Sequence, residues 1–323
     1  MKKVLVFGAG GFIGTHTVNR LKSLGYFVRG VDLKYPEFSK TNCDEFFILD
    51  LRIKENVEFA LTLKNGEIFD ELFQYSFLMG GAGYIFTGEN DIDVMSSNMI
   101  NHHVIFYHEK YMKVFYASSA CIYPEYNQLD PTNPKCSEDS WIPSAPDSEY
   151  GWTKLFDERL YLTLNRLTNT QVRIARFHNI FGPLGTWDGN KSKAPAALCK
   201  KIAMLPDVGG EIEIWGDGEQ TRSFLYIDEC VEGVLRLMNS DFIGPVNIGS
   251  EEMVTINKLA GLIADIAEKN ITIKHIDGPL GVRGRNSDNK LIREKLGWEP
   301  SGRLYNGLKI TYEWINDQVE SNK

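Results

Sequence analysis

Residues 115–124 hold the side chains with which we expect the chemistry of this chain to begin. An apolar stretch at 114–117 predicts a buried parallel strand, and small polar residues follow it. Ser119 belongs to this polar step, Cys121 comes two positions later, and Pro124 prevents a regular continuation. Because open α/β sheets bind ligands beyond the carboxyl ends of their strands, the pattern predicts a ligand site at Ser119 and Cys121.

A tyrosine and a lysine lie four positions apart further along the chain. Tyr150 and Lys154 begin a helical pattern that continues to Leu167, so both side chains leave the same face of the helix. The positive charge of an ammonium favours the phenolate form of a neighbouring phenol, which makes a base that can work near neutral pH. Such a pair alone is usually only helix surface, but the preceding strand and serines favour a catalytic pair.

The beginning of the chain predicts a strand, a glycine-rich turn and a helix. The strand covers 3–7, glycines occupy positions 8, 11 and 14, and the helical pattern stops at Gly25. Glycines at this spacing allow a tight turn, let the backbone approach a pyrophosphate and let the helix pack on the strand. We expect the cofactor contacts here to be Gly8, Gly11, Phe12, Ile13 and Gly14, and further cofactor contacts from Tyr150 and Lys154.

Two acidic residues follow the next two predicted strands. The strand 27–31 ends in Asp32, near the offset of roughly 20 residues at which an acid meets the adenosine ribose. A carboxylate there accepts from the 2′-hydroxyl and repels a 2′-phosphate, which favours NAD over NADP. The strand 45–49 ends at Asp50, which either reaches the adenine edge or caps the helix predicted at 53–63.

The alternation of predicted strands and helices indicates the α/β class, with a doubly wound parallel (Rossmann) sheet. We expect a smaller, interleaved C-terminal lobe that binds the substrate. The NAD-binding part is predicted at residues 1–178, with 223–250 returning to it, and 179–323 form mainly the substrate-binding lobe. Further strands are predicted at 70–76, 172–175 and 245–249, and further helices at 94–107 and 228–238.

Composition limits the remaining classes of function. The chain has 323 residues and a net charge of -8, which argues against general nucleic-acid binding, so an anionic substrate would need local cations. No apolar run approaches the roughly 20 residues that span a bilayer, and no signal-peptide cleavage site appears, so we expect a cytoplasmic protein. Five cysteines without Cys-x-x-Cys spacing suggest free thiols. Six histidines show no metal-ligand pattern, and we assign no metal.

The glycine-rich loop, Asp32, Ser119 and the Tyr150–Lys154 pair together resemble the extended short-chain dehydrogenase/reductase family, whose members commonly act on nucleotide sugars. The resemblance extends over almost the whole chain and is most specific to a branch of nucleotide-sugar epimerases. The segments that carry it are 117–124, 176–180, 193–197, 215–218, 220–223 and 281–288.

The resemblance implies an NAD-dependent isomerase that inverts C3 and C5 of GDP-mannose, giving GDP-L-galactose, with the 5-epimer GDP-L-gulose as a further product. Tyr150, with Lys154 and Ser119, would remove the C4 hydroxyl proton while hydride passes to NAD. Cys121 and Lys193 would be an acid–base pair on opposite faces of the sugar. The resemblance also implies a homodimer, and these substrate-binding residues: Gly80, Ser119, Ala120, Cys121, Asn179, Lys193, Lys201, Gln220, Arg222 and Arg285.

Simpler interpretations exist for some of these residues. A lone cysteine after a strand, such as Cys121, is usually a small buried hydrophobe. Lys193 by itself would be a solvated loop lysine. Arg283 and Arg285 could pair with Asp288 and stabilise the C-terminal part of the chain.

Three other functions remain open at this point. A nucleotide-sugar 4-epimerase would leave Cys121 and Lys193 without a role. A 4,6-dehydratase usually carries acidic residues where Ala120 and Cys121 stand. A non-catalytic NAD-binding regulator would have no use for the base formed by Tyr150 and Lys154.

Two segments depart from the family pattern. After the fourth strand the family usually shows Asn-Leu-Ala-Ala, whereas this chain has Phe73-Gln-Tyr-Ser-Phe77. We expect Tyr75 and Ser76, in the place of two alanines that border the cofactor, to crowd the pyrophosphate or the nicotinamide ribose. The helix with Asn101-His-His103 also departs, which we expect to affect packing more than chemistry.

Overall fold

The computed structural model of the chain describes residues 1–189, 191–279 and 281–322. The strands in this part of the chain are β1 Lys3–Phe7, β2 Phe27–Asp32, β3 Glu45–Ile48, β4 Phe69–Gln74, β5 Tyr111–Ser119, β6 Gln171–Phe177, β7 Ile180–Phe181, β8 Gly210–Trp215, β9 Thr221–Ser223, β10 Leu225–Tyr226, β11 Val246–Ile248, β12 Met253–Thr255, β13 Ile271–Ile276 and β14 Gly284–Arg285. The helices are α1 Phe12–Ser23, α2 Lys54–Leu61, α3 Ala82–Ile85, α4 Asp91–Ser96, α5 Asn98–Phe106, α6 Glu149–Leu167, α7 Ala194–Ala203, α8 Ile227–Asn239, α9 Ile256–Ala267, α10 Lys290–Leu296 and α11 Leu304–Ser321. None of these helices is long and apolar enough to cross a bilayer.

One sheet of seven parallel strands forms the centre of the protein, in the order β11-β6-β5-β4-β1-β2-β3. The chain builds outward from β1 through β2 and β3, and then crosses to β4 and builds in the opposite direction. The strand order therefore reverses between β1 and β4, which is where sheets of this kind bind ligands. The predicted doubly wound parallel sheet is confirmed.

Both faces of the sheet are covered, and β1 shows how the sequence achieves this. Val4 and Val6 point into a core under α1 and α8, whereas Leu5 and Phe7 point into a core under α2, α5 and α6. Successive side chains of a strand leave opposite faces, so a strand buried on both faces must be apolar throughout.

The C-terminal part has its own core, formed by α7, α9 and α11 around β8. Helix α11 buries Leu304, Leu308, Ile315 and Val319, whose spacing places them on one face. The chain does not stay in this lobe, because β11 returns to the central sheet and pairs in parallel with β6. The short strand predicted at 245–249 is confirmed.

Two predicted elements need correction. The single helix predicted at 94–107 is two helices, α4 and α5, with Ser97 between them. Ser97 is fully buried, and its Oγ accepts a hydrogen bond from the Leu78 backbone N–H (3.0 Å), which fixes the junction. Strand β5 continues through Ser119, so the serines predicted to follow the strand are its last residues.

Candidate active site

Helix α6 begins against the turn that carries Cys121. Ser148 caps the helix by accepting a hydrogen bond from the Gly151 backbone N–H (3.3 Å). A Cβ atom on Gly151 would lie 2.3 Å from the Cys121 carbonyl oxygen, so only glycine permits this approach. The contact places Tyr150, the second residue of α6, beside the turn Ala120–Ile122.

Ser119 connects the strand, the turn and the helix. Its Oγ accepts a hydrogen bond from the Cys121 backbone N–H (3.2 Å) and is also hydrogen-bonded to the Tyr150 phenol. Burial raises the pKa of Tyr150, a thiolate at Cys121 would raise it further, and the Ser119 hydrogen bond lowers it. The lowered pKa predicted for this tyrosine is therefore not found in the protein alone, because a phenolate in this closed site loses its hydration.

Lys154 is buried one helical turn beyond Tyr150. Its Nζ donates to the carbonyl oxygen of Ala117 (2.8 Å). The same atom lies 4.0 Å from the centre of the Phe77 ring, and that ring meets the Tyr150 ring edge-on, with 5.5 Å between the ring centres. Burial lowers the pKa of Lys154, and the charge of Asp157 opposes this shift. Tyrosine and lysine share a face as predicted, and Phe77 covers both.

Phe77, rather than Tyr75, fills the space next to this tyrosine and lysine. The Tyr75 hydroxyl accepts a hydrogen bond from Thr17 of α1 (3.1 Å), and its ring packs in the core between sheet and helix. The expectation that Tyr75 crowds the cofactor is therefore wrong, because its side chain continues the alternation of β4 and points inward. Ser76 does border the glycine-rich loop, but through its backbone: a Cβ atom on Gly8 would lie 2.9 Å from the Ser76 nitrogen.

The buried carboxylate group of Asp157 lies close to Lys154. Asp157 accepts hydrogen bonds from the Tyr116 hydroxyl (2.9 Å) and from Asn101 Nδ2 (2.7 Å). It also accepts one from Asn98. Burial raises the pKa of Asp157, and the Lys154 charge opposes this. The helix that departs from the family pattern thus supplies side chains to the buried network next to the lysine.

Cys121 is held by a charged neighbour. Nη1 of Arg285 donates to the Cys121 Sγ (3.1 Å), while Nη2 donates to Asp147 (2.9 Å) and Nε to Gln128 (2.5 Å). Cys121 is half-buried, and its sulfur contacts a guanidinium group, so it is not merely a small core hydrophobe. A guanidinium beside a thiol is an environment that favours reactivity.

The arginines of the C-terminal segment, Arg283 and Arg285, have carboxylate partners outside that segment. Arg285 has Asp147 as its carboxylate partner, and Arg283 pairs with Asp217 (3.0 Å). The simpler interpretation, in which both arginines pair with Asp288, therefore fails, because β14 carries Arg285 inward to the turn with Cys121.

Lys193 approaches the same site from the C-terminal part of the chain. It precedes α7, at the N-cap position, and is half-buried. A Cβ atom on Gly81 would lie 2.4 Å from the carbonyl oxygen of Ser192, so the loop 79–83 packs against the backbone next to Lys193. Burial lowers the pKa of Lys193, and a thiolate at the nearby Cys121 would oppose this. The simpler interpretation of a solvated loop lysine is wrong.

Two of the predicted substrate-binding residues are arranged to receive a polar ligand. Gln220 Nε2 donates to the Trp215 carbonyl oxygen (3.2 Å), but its Oε1 is buried without a hydrogen-bond partner in the described ranges. Arg222 donates to the carbonyl oxygens of Thr221 (2.7 Å) and Val282 (2.6 Å). Burial lowers the pKa of Arg222, and the charge of Arg285 lowers it further, so these two like charges favour an anion near them.

The other predicted substrate-binding residues range from buried to exposed. Asn179 adopts a left-handed backbone (φ 46°), and its Nδ2 donates to the Ser223 carbonyl oxygen (2.8 Å). Gly80 packs against Tyr84, and Ala120 is buried. Lys201 is exposed on α7 and donates to the carbonyl oxygen of Glu213 (2.6 Å), and its contact with the substrate stays a prediction.

The glycine-rich loop can accept a dinucleotide. Gly8 has a left-handed φ of 82°, and a Cβ atom on Gly14 would lie 1.9 Å from the Gly8 carbonyl oxygen. Helix α1 begins with Phe12 and Ile13, and the residue before it, Gly11, makes no side-chain cap. The backbone N–H groups of this first turn can therefore bind a pyrophosphate. The predicted turn, strand and helix are all observed.

Asp32 lies at the carboxyl end of β2 beside this loop. Its Oδ2 accepts from the Gly10 backbone N–H (2.9 Å) and its Oδ1 from that of Leu33 (2.6 Å). Burial raises the pKa of Asp32, and these hydrogen bonds lower it. A cavity next to it is lined by Gly10, Gly11 and Ser39, whose buried Oγ lacks a partner in the part of the chain that is described. Asp32 and the residues that line this cavity fit the adenosine half of NAD.

Asp50 does not cap the following helix. The residue before α2 is Ile53, and the Asp50 carboxylate instead forms an ion pair with Arg52 (2.7 Å), which lowers the pKa of Asp50. A contact between Asp50 and adenine stays a prediction.

The parallel sheet, the glycine-rich loop with Asp32, Ser119 at the end of β5, and Tyr150 with Lys154 on α6 define an NAD-dependent enzyme. A sequence model of the NAD dependent epimerase/dehydratase family matches residues 4–249, and the chain belongs to this family. NAD as the cofactor and the resemblance described above are confirmed.

Individual relatives narrow the comparison. The GDP-mannose 3,5-epimerase of Arabidopsis thaliana is 49% identical, over 99% of this chain and 84% of that protein. GDP-mannose 3,5-epimerase 1 of Oryza sativa subsp. japonica is 46% identical, over 99% of this chain and 83% of that protein. Among solved structures, the UDP-glucose 4-epimerase of Thermotoga maritima, determined with UDP-glucose, superposes with a TM-score of 0.81 at 25% identity, covering 98% of this chain and 99% of that one.

Residues that the sequence-based reasoning missed also shape the site. Phe77 was passed over in favour of its neighbours, and Asp157 stands three positions after Lys154, a spacing that would have placed it beside the lysine. Asp147 and Gln128 meet Arg285 across 138 and 157 residues of chain. No local pattern reports contacts at that separation.

Proposed function

We propose that this protein inverts C3 and C5 of GDP-mannose, giving GDP-L-galactose with GDP-L-gulose as a further product. One observation carries the proposal: Cys121 and Lys193 approach the site of Tyr150, Lys154 and Ser119 from two different parts of the chain. The similarity to the Arabidopsis GDP-mannose 3,5-epimerase supports the choice of substrate.

The first task of the site is to handle the proton of the C4 hydroxyl. When bound, NAD supplies a hydride acceptor for C4 and later returns the hydride. In its phenolate form Tyr150 accepts the hydroxyl proton at its phenolic oxygen; the charge of Lys154, 5.7 Å from the centre of the Tyr150 ring, favours that form, and the Ser119 hydrogen bond lowers the pKa of Tyr150. Lys154, fixed by the Ala117 carbonyl oxygen, holds its ammonium one helical turn away.

The second task is inversion at the carbons beside the C4 ketone, where the C–H bonds are acidic. Inversion requires one group to remove a proton and another to deliver one to the opposite face. Burial favours the neutral amine of Lys193, which suits a base at its Nζ. The Cys121 Sγ, in the turn Ala120–Ile122, delivers the other proton to the opposite face of the sugar ring.

Local cations explain how an acidic protein binds an anionic sugar nucleotide. Arg222 and Arg285 lie close enough for each charge to affect the other, and a diphosphate offsets that repulsion. The buried Oε1 of Gln220 offers an acceptor to a hydroxyl or amide N–H of the ligand. We assign the diphosphate to Arg222 and Arg285 together, because the two like charges act on each other.

The function is tested by solvent exchange. Purified protein with NAD is incubated with GDP-mannose in heavy water, and deuterium at C3 and C5 is followed by NMR. The proposal predicts deuterium at both carbons together with new epimers. Interconversion of a C4 epimer without deuterium at C3 and C5 would support a 4-epimerase instead, and the absence of any exchange would overturn the proposal.

The assembly and organisation of the protein are part of the same proposal. A homodimer is supported by exposed apolar side chains on adjacent helices: Met99 and Phe106 are seven positions apart on α5, and Trp152 and Phe156 are four apart on α6, so each pair shares a face. Covering these faces with a second copy would remove them from water. Sedimentation at equilibrium tests it, and a monomer at micromolar concentration would contradict it.

We also propose that residues 1–178 and 223–250 bind NAD and that the rest of 179–323 mainly binds the sugar nucleotide. The separate core around β8 supports this division. A cytoplasmic location is supported by the five free cysteines, the state that a reducing compartment maintains.

A further inference from the structure

Asp147 is a buried carboxylate that the proposed reaction does not use. It lies three residues before Tyr150, in the segment that leads into α6. Its Oδ2 accepts a hydrogen bond from Arg285 Nη2 (2.9 Å), and the two side chains are only 5% and 7% exposed. A buried ion pair of this kind is costly to assemble, so its geometry is informative.

The ion pair of Asp147 with Arg285 matters because the other terminal nitrogen of the same guanidinium contacts Cys121. Arg285 Nη1 donates to the Cys121 Sγ (3.1 Å), and Nε donates to Gln128 Oε1 (2.5 Å). A guanidinium is planar, so fixing Nη2 and Nε sets the direction of Nη1. Asp147 and Gln128 thus hold the plane that points at the sulfur.

Charge around the sulfur is predominantly positive. The groups that act on Cys121 are Arg285 from β14, Arg222 from β9, Lys193 before α7, and Lys154 and Tyr150 from α6. Asp157 and Glu158 offset the charge of Lys154. Asp147 offsets that of Arg285, the cation in direct contact with the sulfur.

We propose that Asp147 is a positioning residue for Cys121, which orients Arg285 towards the sulfur and offsets its charge. This inference rests on the proposed function, in which Cys121 donates and accepts protons. An unbalanced guanidinium would draw the sulfur towards the thiolate. With Asp147 in place the thiol keeps its proton more readily, and Cys121 can act as the acid opposite Lys193.

The test measures the pH dependence of Cys121 alkylation by iodoacetamide in the full-length protein. Mass spectrometry of the peptide that contains Cys121 separates it from the other four cysteines. Asp147→Asn removes the charge and keeps the shape. We expect the midpoint of the alkylation profile to fall by about 1 pH unit, and alkylation below the midpoint to become about 3- to 10-fold faster.

The matched control is Asp139→Asn. Asp139 is exposed, accepts a hydrogen bond from Ser137 Oγ and carries the same charge. Its replacement should leave the Cys121 midpoint at the wild-type value. Asp147→Glu keeps the charge and should stay closer to wild type than Asp147→Asn; an equal shift in both variants would overturn the charge-based role.

An unchanged midpoint in folded Asp147→Asn would overturn the proposal. If that variant does not fold, Arg285→Gln tests the same pair, since loss of the guanidinium should raise the midpoint, and no change would again contradict the proposal. Alkylation needs no substrate. A shifted midpoint in a protein that exchanges no deuterium would therefore refute the epimerase function while leaving the role of Asp147 intact.

Discussion

Replacing Phe77 by alanine tests whether the Phe77 ring and the cofactor compete for contact with the Lys154 ammonium. In the protein alone the ring centre lies 4.0 Å from Lys154 Nζ, and the ring also covers Tyr150. Family resemblance assigns Lys154 to the cofactor, so the ring and NAD compete for the same ammonium. We expect Phe77→Ala to bind NAD more tightly than the wild-type protein.

The size of the effect follows from the contact that is lost. A cation–π interaction removed from water contributes about 2 kcal/mol. If NAD binding must break this contact, its removal lowers the Kd for NAD by up to about 30-fold, since about 1.4 kcal/mol corresponds to tenfold. Any contact that the ring keeps with the ammonium after NAD has bound reduces this gain.

Isothermal titration calorimetry with NAD measures the change directly. Tyr75→Phe is the matched control, because it removes only a hydroxyl that accepts from Thr17 in the core and should leave the Kd unchanged. Circular dichroism confirms that both variants are folded. Equal or weaker NAD binding by Phe77→Ala would refute the competition and identify the ring as a wall of the cofactor site.

Three further predictions concern the proposed chemistry. The protein should bind NAD in preference to NADP, because the Asp32 carboxylate repels a 2′-phosphate; equal affinities by calorimetry would refute this. Tyr150→Phe should abolish deuterium exchange as well as epimerisation, because neither C3 nor C5 is acidic without C4 oxidation, and exchange measured by NMR in this variant would remove Tyr150 from the mechanism. Epimerisation should increase with pH over a range below the ordinary lysine pKa of 10.5, because burial lowers the pKa of Lys193 and the base is the neutral amine; a rate that falls across that range would contradict this assignment.

The fold could be predicted because its strands and helices have clear periodicity. Strand β1 is apolar at every position from Val4 to Phe7, and the glycines at 8, 11 and 14 allow the turn that is observed. The prediction of a single helix at 94–107 was wrong, because the helix is interrupted at Ser97. The Ser97 Oγ accepts a hydrogen bond from the backbone N–H of Leu78, which lies 19 residues earlier in the chain. Periodicity cannot report such a contact.

The site could be predicted where residues belong to one motif, and not where distant segments meet. Tyr150 and Lys154 are a helical turn apart, so their common face follows from spacing. The pairing of Arg285 with Asp147 joins segments 138 residues apart. Tyr75 was mistaken for a neighbour of the cofactor although it follows Phe73 by two positions, and alternation along β4 would have sent both side chains into the same core.

The most direct test of the central claim compares Cys121→Ala and Lys193→Ala with the wild-type protein on GDP-mannose in heavy water. Epimers are quantified by chromatography and deuterium at C3 and C5 by NMR. We expect both variants to bind GDP-mannose and to lose epimer formation by at least about 10²-fold, the scale for removing a general acid or base. Near wild-type inversion in both variants would contradict the roles of Cys121 and Lys193 and, with them, the proposed inversion at C3 and C5.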